Sequence, residues 1–252
     1  MSGAAFEGLE QALAGREVTE DYTPGDRGYA PEMLLEMVRW YDDDTTFAGS
    51  SWPEGVSRFR DTLKKGTTPA FSPQQFIDDV IGAVASAGWK DAGAWAFFDP
   101  LVQALYERGH HALMLDLSPL GTQSMLCLGH SLRGRKGNPL DVTYRGVSAF
   151  TFGGGSEHCR IALVGDVNQV GSNAAHAEFT VAGKSTLESL GKSATGCTFR
   201  VADLYAGGYP VLKGWPYCPN TYLNELLVER HNSLFHKDAS GAWVGVLAEV
   251  RP

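Results

Sequence analysis

Cysteine is scarce in this sequence: Cys127, Cys159, Cys197 and Cys218 are the only four in 252 residues, and no two form a C-x-x-C pair. That pattern excludes a disulfide framework and a zinc ribbon, and reduced thiols are expected. Basic charge is also short, with 21 Lys and Arg against 29 Asp and Glu and a net charge of −8. The excess is uneven, since residues 1–60 hold 12 acids and 5 bases while the rest hold 17 and 16. Without a basic stripe or a nucleic-acid signature, no nucleic-acid partner is expected. No stretch approaches about 18 uninterrupted apolar residues, and no basic segment leads into an apolar run at the start. No membrane partner is therefore expected, and a cytoplasmic location is. A G-x-S-x-G elbow is missing, as is a glycine-rich phosphate loop after a strand, so neither a hydrolase nor a dinucleotide-binding fold has support.

What the sequence does contain is a repeat between residues 156 and 203. Ile161, Phe179 and Phe199 fall at steps of 18 and 20, as do Leu163, Val181 and Val201, and Cys159, Ala177 and Cys197. Gly165 and Gly183 close the apolar run in the first two copies, and Gly171 and Gly191 stand further on. Columns that move together describe stacked rungs: no rung buries its inner face alone, and glycines let the chain turn the corners. In this reading Cys159, Ala177 and Cys197 share a small inward position, where a thiol behaves as a small hydrophobe.

Before residue 110 the pattern is helical. Met33, Leu34, Met37 and Val38 recur at helical spacing, and 56–65 forms a short helix stopped by Gly66. Ser72-Pro73-Gln74-Gln75 opens a helix that runs through Phe76, Ile77, Val80, Ile81 and Val84 to Gly88, and a further helix covers Leu101–Arg108 after Asp99-Pro100. Residues 111–117 read as a strand. Asp42, Asp43 and Asp44 lack EF-hand spacing and read as a solvated loop. The fold class expected is α+β. A helical region with an acidic arm occupies residues 1–110, a short parallel β-solenoid 111–205, and an irregular cap rich in aromatics, Gly and Pro 206–252, ending in a hairpin at Asp238–Gly241.

The segments VGDVNQVGSNAAHAEFTVAG and GKSTLESLGKSATGCTFRV resemble the glycine-repeat right-handed β-helix found at the C-terminus of the glutamate synthase large subunit and in one of the subunits of formylmethanofuran dehydrogenase. The resemblance covers about fifty residues, with Leu187 and Glu188 where the family carries small residues. In that family the helix is a structural element without catalytic residues, so the resemblance implies scaffolding.

Three constellations stand out as chemistry-bearing. His176-Ala-Glu178 with Pro216-Tyr-Cys218 is similar to the H-x-E and P-C-x-x-C signature of zinc deaminases, but position 221 is Thr. Cys127, His130, His158 and Cys159 supply the ligand types that zinc prefers, although His158 and Cys159 would have to lie in a bend to face one ion. Tyr205, Tyr209, Trp215, Tyr217 and Tyr222 could stack on a ligand or partner. The function expected is a non-catalytic scaffold or assembly component, without cofactor, that engages another protein or itself through solenoid and cap surfaces. The alternative is a deaminase-like or carbohydrate-acting enzyme using His176, Glu178 and Cys218.

Overall fold

The computed structural model describes residues 28–29, 33–34, 36–37, 52–68, 70–86, 94–121, 124–186, 190–206, 209–210 and 224–246. The arm before residue 28, Asp42 to Asp44, Cys218 and the cap segment 211–223 lie outside the described residues. The chain forms two compact units, Met1–Thr122 and Gln123–Pro252.

In the first unit the helical periodicity is spent on one apolar core. Helix α1, Trp52–Gly66, buries Val56, Phe59 and Leu63, which lie along one face at i, i+3 and i+7. Helix α2, Pro73–Ser86, begins as its start signal predicts, with the Ser72 hydroxyl accepting from the Gln75 amide at 3.4 Å. Helix α3, Ala94–Glu107, starts earlier than the expected Leu101 and carries Pro100 inside it. Its fully buried Phe97 and Phe98 explain the difference, Phe97 meeting Phe59 edge-to-face at 5.2 Å. Their burial outweighs the backbone bond that a proline forfeits, a loss of about 3 kcal/mol. Strand β1, Ala112–Asp116, follows, and the Gln74 amide clamps Met114 by donating to its carbonyl at 2.7 Å and accepting from its N–H at 3.1 Å.

The second unit is a parallel β-solenoid of about four turns. One wall stacks β3 (Leu140–Arg145), β5 (Cys159–Val164), β7 (Glu178–Thr186), β8 (Thr198–Ala206) and β10 (Ser233–Lys237), all parallel. A second wall is the sheet of β2 (Ser124–Leu128), β4 (Ser148–Phe152) and β6 (Val167–Val170). Isolated parallel bridges linking Arg133, Glu157, Ala175 and Thr195 mark a third side. A short strand β9 (Tyr209–Pro210) runs antiparallel to β8, and the antiparallel β11 (Trp243–Gly245) closes the expected hairpin. The Asp238 carboxylate accepts there from Ser240 and Ala242.

Register fixes the core. Val142, Ile161, Phe179, Phe199 and Leu234 lie directly above one another, each at most 2% exposed. Phe179 and Phe199 stack at 5.4 Å with 16° between their planes. The column found in the repeat therefore extends by one rung in each direction. Beside it run Tyr144, Leu163, Val181 and Val201, ending on His236. A glycine column answers the aromatic one: Gly129, Gly153, Gly171 and Gly191 all have left-handed backbone, and a Cβ on Gly153 would stand 2.1 Å from the Phe179 ring. The last rung ends on a polar side chain. Asn232 accepts from the Cys197 N–H at 2.7 Å and donates to Ala194 at 3.0 Å and Leu226 at 2.9 Å, satisfying groups that would otherwise face the end of the stack.

Phe179→Ala is expected to cost about 3–5 kcal/mol of stability, whereas the neighbouring outward change Thr180→Ala stays within about 0.5 kcal/mol. Urea denaturation of the two variants measures the difference.

Candidate binding groove on the solenoid

Alternation along each strand sends every second side chain outward, so each wall of the solenoid carries columns on its outer side as well. On the wall containing β5 and β7 these columns carry charges paired across rungs, although the second carboxylate oxygen of Asp141 has no hydrogen-bond partner among the described residues. Arg160 stands between Asp141, at 3.5 Å, and Glu178, at 3.6 Å, and Arg200 reaches Glu178 at 3.0 Å. The Arg200 guanidinium also covers the Phe235 ring at 5.5 Å. Each of these ion pairs is partly exposed and worth at most about 1 kcal/mol, yet together they engage every one of these four charges with an opposite one.

Glu178 is thus a member of a cross-rung charge ladder, flanked by inward Ala177 and Phe179. His176 sits at a corner with left-handed backbone, its ring stacked on that of His158 at 5.3 Å and 11°. Cys218, the remaining member of that constellation, lies outside the described residues.

The four cysteine and histidine residues considered for zinc are each engaged differently. Cys127 is half-buried on β2 with the Thr151 hydroxyl 2.8 Å from its sulfur, and the His130 Nδ1 lies 2.8 Å from the Ser131 hydroxyl. His158 belongs to the imidazole stack. The Cys159 thiol points inward, donates to the Glu157 carbonyl at 3.1 Å, and burial pushes its pKa up to about 12. Among the described residues no three His, Cys, Asp or Glu side chains are gathered so as to hold a metal ion.

The outer side of the second wall is different. There a groove of about 440 Å³ runs from β2, β4 and β6 onto the C-terminal ends of β7 and β8, strands of the first wall. One edge is a column of Ser148, Asp166 and Lys184, in which the Asp166 carboxylate accepts from the Lys184 N–H at 2.8 Å. The other edge is Phe150, Asn168, Thr186 and Tyr205. Pairing of Ala149 with Val167 sets Phe150 beside Asn168, and Thr186 pairs directly with Tyr205. Ser185, between Lys184 and Thr186 on β7 and paired with the buried Leu204, faces inward; it is 2% exposed, and its hydroxyl has no hydrogen-bond partner among the described residues. Next to the groove, Leu126 stands across from Phe150, between the pairs Met125–Ala149 and Cys127–Thr151. These two side chains are 54% and 46% exposed.

Of the aromatic group singled out in the sequence, Tyr205 lines this groove and Tyr209 pairs with Ala206 in β9. Trp215, Tyr217 and Tyr222 lie outside the described residues. The groove residues other than Tyr205 escaped sequence reasoning, although Phe150, Asn168 and Thr186 recur at a step of 18, the same step that revealed the inward columns.

No family model, curated protein or solved structure matches the chain. Among the described residues no helix is long and apolar enough to cross a membrane.

Burial raises the pKa of Cys197 as well as that of Cys159, so both thiols stay protonated at neutral pH. Iodoacetamide at pH 7 is expected to leave Cys159 and Cys197 unmodified in the native protein and to alkylate both after unfolding in urea. Peptide mass spectrometry reads the outcome.

Proposed function

We propose that this chain is a non-catalytic scaffold or assembly component that engages a partner protein through the outer side of its second wall. The observation that carries this reading is the adjacent pair Leu126 and Phe150, a large aliphatic and an aromatic side chain standing outward in register on a sheet whose other outward neighbours are polar. Scattered apolar residues are ordinary on a protein surface, but a contiguous pair with a polar rim is the composition of a docking surface. Aromatic anchors supply most of the energy at such surfaces. The parallel strands beneath form a rigid base, so docking orders few additional groups and loses little affinity to entropy.

Two further features support the reading. The acidic and basic side chains on the neighbouring wall are committed to one another rather than to a reacting substrate. The recurring left-handed glycines support membership in the glycine-repeat β-helix group, in which the solenoid is a structural element. In this assignment the rungs hold the outward columns in register, and the partner reads those columns.

Leu126→Asp places a charge in the centre of the patch without touching the inward core. The protein carrying it is expected to melt with the wild type but to lose at least about tenfold of its partner retention or self-association. Affinity capture from the native host and sedimentation velocity measure the two. A wild-type protein that is strictly monomeric and retains no partner would contradict the proposal.

A further inference from the structure

The groove beside the apolar pair has a chemistry of its own. Its volume, about 440 Å³, falls within the range of about 300–1,000 Å³ usual for small-molecule sites. An aromatic ring stands at each end of one edge, Phe150 and Tyr205, three rungs apart, a span of about 14 Å at the usual strand spacing. Between them lie an amide, Asn168, and a hydroxyl, Thr186, and across from them a carboxylate, Asp166, and an ammonium, Lys184.

We propose that this groove binds a short oligosaccharide. A sugar ring is an alternating surface: its C–H faces pack on aromatic rings, and its rim of hydroxyls both donates and accepts. The lining matches each property, with rings at the ends and a mixed set of donors and acceptors between. Other ligand classes fit less well. A phosphate or carboxylate ligand would meet Lys184, the one cation lining the groove among the described residues, with the Asp166 carboxylate beside it. A wholly apolar ligand would strip water from both charges without replacing their hydrogen bonds. A polyol seated in the groove meets the Asn168 amide and the Thr186 hydroxyl with its own hydroxyls. The site is open and shallow, so affinity in the sub-millimolar range and selectivity among linkages are expected. This inference shares Phe150 with the partner-protein reading, but its test concerns Asn168 and Tyr205 rather than Leu126, so either can fail alone.

The test is titration calorimetry of the full chain against soluble tri- and tetrasaccharides of cellulose, starch, xylan, chitin and galacturonan, with Asn168→Ala and Tyr205→Thr as variants. Threonine keeps the strand preference at position 205. Asn168→Ala alters only an exposed side chain of β6 and decides the matter alone if the other variant does not fold. The expected result is saturable binding to at least one member of the panel, weakened about tenfold or more by each folded variant. Absence of binding to every saccharide at millimolar concentration overturns the proposal, as does binding that Asn168→Ala or folded Tyr205→Thr leaves untouched.

Discussion

A rung of this solenoid has an inner face that it cannot bury by itself, and the structure of the second unit follows from the stacking that solves this. Val142, Ile161, Phe179, Phe199 and Leu234 each cover the residue on the next rung. A slip of one residue would turn every inward side chain out to water, so the register is tightly specified. The aromatic rings in the column demand room, and the left-handed glycines opposite provide it: Gly153 approaches Phe179 and Gly171 approaches both Phe179 and Phe199. The same stacking needs an end. Asn232 and His236 occupy inward positions on the last rung, where the polar groups of the terminal backbone require partners rather than further apolar cover.

Once the inner columns are locked, the outer columns are locked with them, and it is there that the two walls diverge. One wall is covered by charges that neutralise each other across rungs, Asp141 to Arg160 to Glu178 to Arg200. The other presents Leu126 and Phe150 to solvent beside a groove lined by polar and aromatic side chains. Ion-pair ladders of this kind add little stability but discourage other chains from adhering. An apolar pair on the facing wall does the opposite, and that contrast within one rigid element is why the working surface is assigned to the second wall.

The solenoid was legible because its inner positions repeat: Ile161, Phe179 and Phe199 are large, apolar and evenly spaced. The preceding rung lay inside the expected solenoid but outside the repeat columns, because the chain turns aside between Arg135 and Asn138 and stretches the step from Met125 to Ala149 to 24 residues. The rung at Leu234 was not legible, because it joins the wall 35 residues after Phe199. The earlier start of α3 was masked by Pro100, a residue that ends helices unless packing compensates, as burial of Phe97 and Phe98 does here. The groove was hardest to read. Outward positions carry no common chemistry, and Phe150, Asn168 and Thr186 become one surface only when the rungs are in place. Dense His, Cys and Glu between residues 157 and 178 drew attention to chemistry, yet Cys159 fills the core, Glu178 joins the charge ladder, and His158 and His176 stack at a corner.

The central claim, that an inward ladder in register holds the solenoid together as one unit, is tested most directly by native-state hydrogen exchange resolved to individual strands. The account predicts that amides of β5, β7 and β8 form the most protected block of the second unit and open together, with a shared free energy close to that of global unfolding of that unit. Protection that differs from strand to strand, with β7 exchanging independently of β5 and β8, would contradict it.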